Sequence, residues 1–339
     1  MKAALLYDGG ELRVEETPDP AADGWALVSA RAAGVCGTEL HFLEGMIPPP
    51  TVPFQLGHEA AGVVLESPPG SGLKEGDRVA VYNVVGCGRC RSCETGRESL
   101  CTSSVGQLGF SLPGGFADVV RAPAENLVPL PDSVSFETAA VLSCSGMSVV
   151  HASRLAGIGL GDTVVVNGVG GVGLMAIQVA AAAGARVIAV ADSDMKADLA
   201  HQTGAGETVV LEGGEGYDEL ADRVKLLTGA AGADHYVELV GTEQTMLAGI
   251  RSLGRGGKLV VIGYTGDHLN VHPIELILSE IQVVTSVAAS KRDLETAIQL
   301  AADGRLEATI DTRYPLEQIG TALERLKARQ VRGRNVIVW

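Results

Sequence analysis

The sequence predicts an α/β protein in two parts, an irregular β-rich part and a doubly wound part with a parallel sheet covered by helices on both faces. Three observations predict it. Short β-like runs bounded by Gly, Pro and Asp fill the first 150 residues. Valine-rich runs then alternate with helical segments. A glycine turn stands between the first of those runs and its helix. The length of 339 residues suits two domains, and 46% apolar content excludes wholesale disorder.

Taken in order, 1–6, 26–32, 60–65 and 77–81 read as brief strands, with loops at 48–50 and 68–70. Little of this part has helical period. The texture changes near Ala156. Strands are expected at 163–166, 186–191, 208–211, 235–240 and 258–262, separated by helices at 172–183, 196–202, 217–228 and 242–252. After Ser290, amphipathic helices at 292–303 and 316–328 precede a last strand at 335–339. No repeat at solenoid period is visible. The expected division is one discontinuous domain, 1–155 with 290–339, and a second at 156–289.

Charge narrows the partners. Lys and Arg total 26 against 41 Asp and Glu, a formal net charge of -15. Such a chain repels phosphate backbones and anionic lipid, so nucleic acid and membrane surfaces are poor partners, and neither is expected. The apolar run after Lys2 is too short for a signal-peptide core. Residues 163–185 carry no charge over a bilayer's length, but Asn167, Gln178 and the clustered glycines fit a buried strand, turn and helix better. A soluble, cytoplasmic protein is expected.

The turn reads Gly168-Val-Gly170-Gly171-Val172-Gly173. In a strand–turn–helix setting this is a dinucleotide signature. The first glycine permits the turn, the second admits a pyrophosphate, and the third lets helix and strand pack closely. The helix N-terminus offers free N–H groups to the anion. Asp192 follows the second strand, where an acid accepts hydrogen bonds from a ribose 2′-hydroxyl and repels a 2′-phosphate; NAD is favoured over NADP. A register slip of one would put Ala191 there instead.

Four of the six cysteines, Cys87, Cys90, Cys93 and Cys101, are spaced C-x2-C-x2-C-x7-C. Four thiolates in one short loop suit a tetrahedral structural zinc. An iron–sulfur run would want its fourth cysteine closer and followed by proline. Disulfides are disfavoured without a secretion signal. Cys36 opens Cys-Gly-Thr-Glu-Leu-His, Gly57-His58-Glu59 lies downstream, and Cys144 stands apart. Cysteine, histidine and cysteine make a set that leaves one zinc position open, although each alone reads as a buried structural residue.

Together these residues resemble the zinc-dependent alcohol dehydrogenases of the medium-chain dehydrogenase/reductase superfamily, over essentially the whole chain. The resemblance lies in Gly57-His58-Glu59-Ala60-Ala61-Gly62, the 87–101 loop, the 168–173 turn and the closing Gly333-Arg334-Asn335-Val336. It implies a GroES-like irregular β catalytic domain and a Rossmann domain. It also implies that Cys36, His58 and Cys144 bind a catalytic zinc, with Cys87, Cys90, Cys93 and Cys101 on a second, structural one. Glu59 would be the carboxylate that approaches the metal during ligand exchange. Thr38 would bind the alcohol, and His41 would end a proton relay through the cofactor ribose. Glu39 stands where aspartate usually orients the ligand histidine, and Arg334 matches an arginine at the cofactor pyrophosphate. Departures are Gly37 in place of a basic pyrophosphate contact, Pro68 in place of a small residue, and Val85 where several relatives carry an aromatic pocket wall.

The implied reaction is interconversion of an alcohol and its aldehyde or ketone, with hydride passing to NAD and zinc as Lewis acid. The alternative on the same fold is reduction of an activated C=C or C=N bond. The resemblance further implies a homodimer or homotetramer. The alcohol itself is left open.

Overall fold

Ala26–Val35 alternates buried and exposed side chains over its first half and is buried on both faces thereafter. That switch belongs to a strand that begins at a surface and ends inside a core. It pairs antiparallel with Ala60–Glu66, Val119–Ala122 and Arg334–Val338 in a seven-stranded sheet. The computed structural model describes residues 1–212 and 216–339. The chain divides into two compact units, Met1–Met147 with Ala289–Trp339, and Ser148–Ala288.

In the first unit the returning segment completes the sheet. Arg334–Val338 lies beside Ala26–Val35, and Ile310–Tyr314 runs parallel to it on the far side. A second, three-stranded sheet joins Leu12–Glu16, Lys2–Leu6 and Phe54–Gln55. Leu6, Val35, Phe42, Phe54, Leu56, Phe116 and Ile337 share one core. Each fully buried side chain of this size stabilises by about 1.5–3 kcal/mol. Gly57 takes φ +97°, and a Cβ there would collide with Phe116, so the glycine before His58 is dictated by packing. Departures from the expected irregular β pattern are helical, the short Arg91–Glu94 among them. Gly37–Leu43 forms a helix too short for its period to be read, and Phe136–Val141 opens another with Ser135 as its cap.

The second unit has a six-stranded parallel sheet in the order Glu207–Val210, Arg186–Ala191, Thr163–Asn167, Ala233–Glu238, Leu253–Val261 and Gln282–Thr285. Strand order reverses between Thr163–Asn167 and Ala233–Glu238, the topological switch point of a doubly wound fold. The uncharged run 163–185 resolves into a strand, a turn and the helix Gly171–Ala182. Gln282–Thr285 was not expected from the sequence. It is a four-residue edge strand with three of its residues exposed, so no buried apolar run marks it. Among the described residues no helix is long and apolar enough to cross a membrane.

Candidate active site

Cys36 ends the central strand of the first unit and stands at the start of the helix Gly37–Leu43. Two residues into that helix the Glu39 side chain folds back under it. Glu39 Oε2 accepts the Cys36 N–H at 3.0 Å, and Oε1 lies 2.7 Å from His58 Nδ1. With Nδ1 engaged, His58 presents Nε2 outward, 3.3 Å from Cys144 Sγ. The ligand atoms of Cys36, His58, Glu59 and Cys144 all lie within 4.8 Å of one another. The glutamate in place of aspartate therefore spans both the loop amide and the imidazole.

Cys144 arrives by a different route. It lies in a π-helical turn, Leu142–Gly146, between the helices Phe136–Val141 and Met147–Ala156. Ser143 and Ser145 hydroxyls donate to the carbonyls of Ala139 and Val141, four residues back. A widened turn inside a helix often marks a functional position, and no spacing rule reveals one from sequence.

The electrostatics fit a cation. Contact with Cys144 first, then the charges of Arg334 and His58, hold the Cys36 thiol well below its usual range against the opposing effect of burial. Burial alone would lower His58, but Glu39 and Cys36 outweigh it and raise it. Burial pushes Glu59 up to about 8. Its Oε2 has no hydrogen-bond partner among the described residues. Buried acids and thiolates without enough countercharge are costly, and a divalent ion among them removes that cost. Two cysteines, a histidine and one spare carboxylate make a donor set suited to zinc with an open position.

Arg334 is 5% exposed and donates from Nη2 to Glu59 Oε1 at 2.7 Å. Its Nε is buried without a partner among the described residues. Gly34 leaves room for this pair, since a Cβ there would overlap the Glu59 carboxylate. Thr38 Oγ1 is 3.7 Å from Cys36 Sγ, and His41 follows one turn later on the same helix.

Two neighbours of the cluster were not found by sequence reasoning. Phe110 meets the His58 ring edge-on at 5.2 Å. Asn83 donates from Nδ2 to the His58 carbonyl at 3.0 Å, fixing the backbone at that residue. Val85 is buried at 4% exposure. The ring beside His58 is thus that of Phe110, which also packs edge-on against Phe42.

The second cysteine group is assembled around the short helix Arg91–Glu94. Cys90 Sγ lies 3.6 Å from Cys93 Sγ and 3.7 Å from Cys101 Sγ, and the four donors are mutually within 4.8 Å. Disulfides need ~2.05 Å, whereas a tetrahedron with Zn–S of ~2.3 Å has edges near ~3.8 Å. All six cysteines are free. The backbone amide of Arg89 and the neighbouring Cys101 draw Cys87 down to about 6, while burial pushes Cys93 up to about 12.

In the second unit, Gly168 takes φ +104° and the helix begins at Gly171. A Cβ on Gly173 would run into the Gly168 carbonyl, whereas one on Gly170 would meet nothing within 4 Å. One glycine is thus required by packing and the other leaves open space above a helix N-terminus, the cradle a pyrophosphate needs. Asp192 follows Arg186–Ala191 and accepts from Lys196 Nζ at 2.6 Å and Ser193 Oγ at 3.2 Å. Gly171 and Val172 form the first turn of the helix.

Comparison with known proteins agrees along the chain. Residues 22–132 match the family described as "Alcohol dehydrogenase GroES-like domain" and 171–303 the family described as "Zinc-binding dehydrogenase". An alcohol dehydrogenase of Moraxella sp. (strain TAE123) is 38% identical and one of Geobacillus stearothermophilus 34%, each over 99% of both chains. An acryloyl-coenzyme A reductase of Metallosphaera sedula is 33% identical over 98% of both. The solved alcohol dehydrogenase of Aeropyrum pernix superposes with a TM-score of 0.92 at 30% identity, over 100% of each chain. A structure described as an NAD-dependent alcohol dehydrogenase gives 0.93 at 30% identity, also over 100% of each.

Proposed function

The chain belongs to the zinc-dependent alcohol dehydrogenases of the medium-chain dehydrogenase/reductase superfamily, and from that premise we propose how its own residues divide the work. It is an oxidoreductase that interconverts an alcohol and its carbonyl compound. The observation that carries the assignment of roles is the close grouping of Cys36, His58, Glu59 and Cys144 donor atoms.

Cys36, His58 and Cys144 hold the catalytic zinc, and Glu59 is the carboxylate kept in reserve for ligand exchange. When bound, zinc supplies a Lewis acid for the substrate oxygen and NAD supplies the hydride acceptor. Glu39 locks His58 with Nε2 toward the metal. Thr38 Oγ1 accepts the proton that an alcohol gives up, and His41 is the point at which it leaves the helix. Cys87, Cys90, Cys93 and Cys101 hold a second zinc that fixes their loop.

Gly168, Gly170, Gly171, Val172 and Gly173 cradle the dinucleotide, and the Asp192 carboxylate takes the ribose hydroxyls, so NAD is preferred to NADP. Arg334 is assigned to the pyrophosphate from its place in the closing Gly333-Arg334-Asn335-Val336 run, and its guanidinium pairs with Glu59. A homodimer or homotetramer is supported by the wet edge strand Gln282–Thr285 and by Ile277 at 66% exposure. We place the enzyme in the cytoplasm.

Reduction of an activated C=C bond is the second reading, favoured by the acryloyl-coenzyme A reductase relative. A panel of alcohols with NAD and NADP, and of enones with NADH and NADPH, read at the NADH absorbance before and after chelation, separates the two. Zinc-dependent NAD reduction by an alcohol supports our reading. Enone reduction that survives chelation, without alcohol oxidation, overturns it.

A further inference from the structure

Glu238 is fully buried at the end of Ala233–Glu238, in register with Asn167, the last residue of Thr163–Asn167. These strands flank the switch point, where open parallel sheets receive their ligands. Glu238 Oε1 accepts the N–H groups of Val240 and Gly241 at 2.6 and 2.7 Å. Its Oε2 accepts from Asn167 Nδ2 at 3.0 Å, and Asn167 Oδ1 in turn accepts from the Tyr217 hydroxyl at 2.9 Å.

One carboxylate thus joins the turn after one central strand to the residue just before the glycine turn of the other. The two turns touch: a Cβ on Gly168 would lie 3.4 Å from Val240 Cγ2 and 3.6 Å from Leu239 Cβ. The backbone at Gly263 and Tyr264, just after Leu253–Val261, is packed against the 239–241 turn, since a Cβ on Gly241 would strike it. Burial pushes the Glu238 carboxyl above its usual range, and the amides of Gly241, Asn167 and Val240 pull it back. Burying a carboxylate to brace two surface turns is costly, which makes sense if the turns must hold one geometry.

We propose that Glu238 is a positioning residue for the cofactor, tying the 239–241 turn to the 168–173 turn so that the backbone N–H groups of the glycine turn meet the dinucleotide preorganised. The proposal rests on the dehydrogenase reading above. It predicts an asymmetry between two substitutions. Glu238→Ala cuts the tie. Glu238→Gln preserves it, because the new amide donates to Asn167 Oδ1 once the Asn167 amide turns over, and the Tyr217 hydroxyl then accepts.

NADH and NADPH are titrated by fluorescence onto the full-length parent, Glu238→Ala, Glu238→Gln and Asn167→Ala. Glu238→Ala should weaken binding of the preferred nucleotide about tenfold, and Glu238→Gln less than about threefold. KM for the nucleotide should rise with little change in KM for the alcohol. Should Glu238→Ala not fold, Asn167→Ala carries the test, since it severs the same tie and leaves both bonds to the turn backbone. Parent affinity in whichever of these two folds overturns the proposal, as does a Glu238→Gln loss equal to that of Glu238→Ala. A parent that binds neither nucleotide overturns the functional reading and the proposal with it.

Discussion

Single residues decide how the two binding regions work. Glu39 is the clearest case, because one carboxylate holds both the Cys36 amide and the His58 imidazole. Glu39→Ala frees the ring and leaves a buried N–H unpaired; such losses beside a metal ligand typically reduce metal affinity or activity by about 10–100-fold. We expect kcat/KM for an alcohol to fall in that range with the fold intact, and a change below about threefold would contradict the role. The glycine turn gives a paired test. Gly173→Ala places a methyl on the Gly168 carbonyl, so the melting temperature should drop. Gly170→Ala meets nothing, so stability should hold while NADH affinity falls. Equal behaviour of the two, read by thermal melting and fluorescence titration, would refute the distinction.

At the level of elements, the π-helical turn Leu142–Gly146 is the feature with the sharpest consequence. Removing Ser143 should tighten it into an ordinary α-helix and swing Cys144 by about 100°. The variant should keep the zinc of the 87–101 loop and lose the other, giving one zinc per chain by elemental analysis; two would contradict the assignment. Elements also divide what is legible in the sequence from what is not. The 87–101 cysteines and the 168–173 glycines act with neighbours a few positions away, so spacing alone exposes them. The valine-rich strands of the parallel sheet stand out for the same reason, as continuous apolar runs. Gly37–Leu43 is too short to show a period, and Gln282–Thr285 is too wet to show an apolar run. Arg334 finds Glu59 across 275 positions and Asn83 finds His58 across 25, and no local pattern encodes either meeting. Phe110 has no signature beyond the ring it touches.

For the molecule as a whole, a net charge of -15 is compatible with an anionic cofactor because a positive feature is local: the N-terminus of the helix beginning at Gly171. The six cysteines are all free and fall into two groups, four and two, each completing a donor set. The account therefore stands on two zinc ions with different duties, one that turnover needs and one that the loop needs. Zinc content and alcohol-dependent NAD reduction, measured together on the parent and on Cys36→Ser, test this most directly. The account predicts two zinc ions and activity in the parent, against one zinc, no turnover and an unchanged circular dichroism spectrum in the variant. A Cys36→Ser protein that still oxidises alcohol would contradict it.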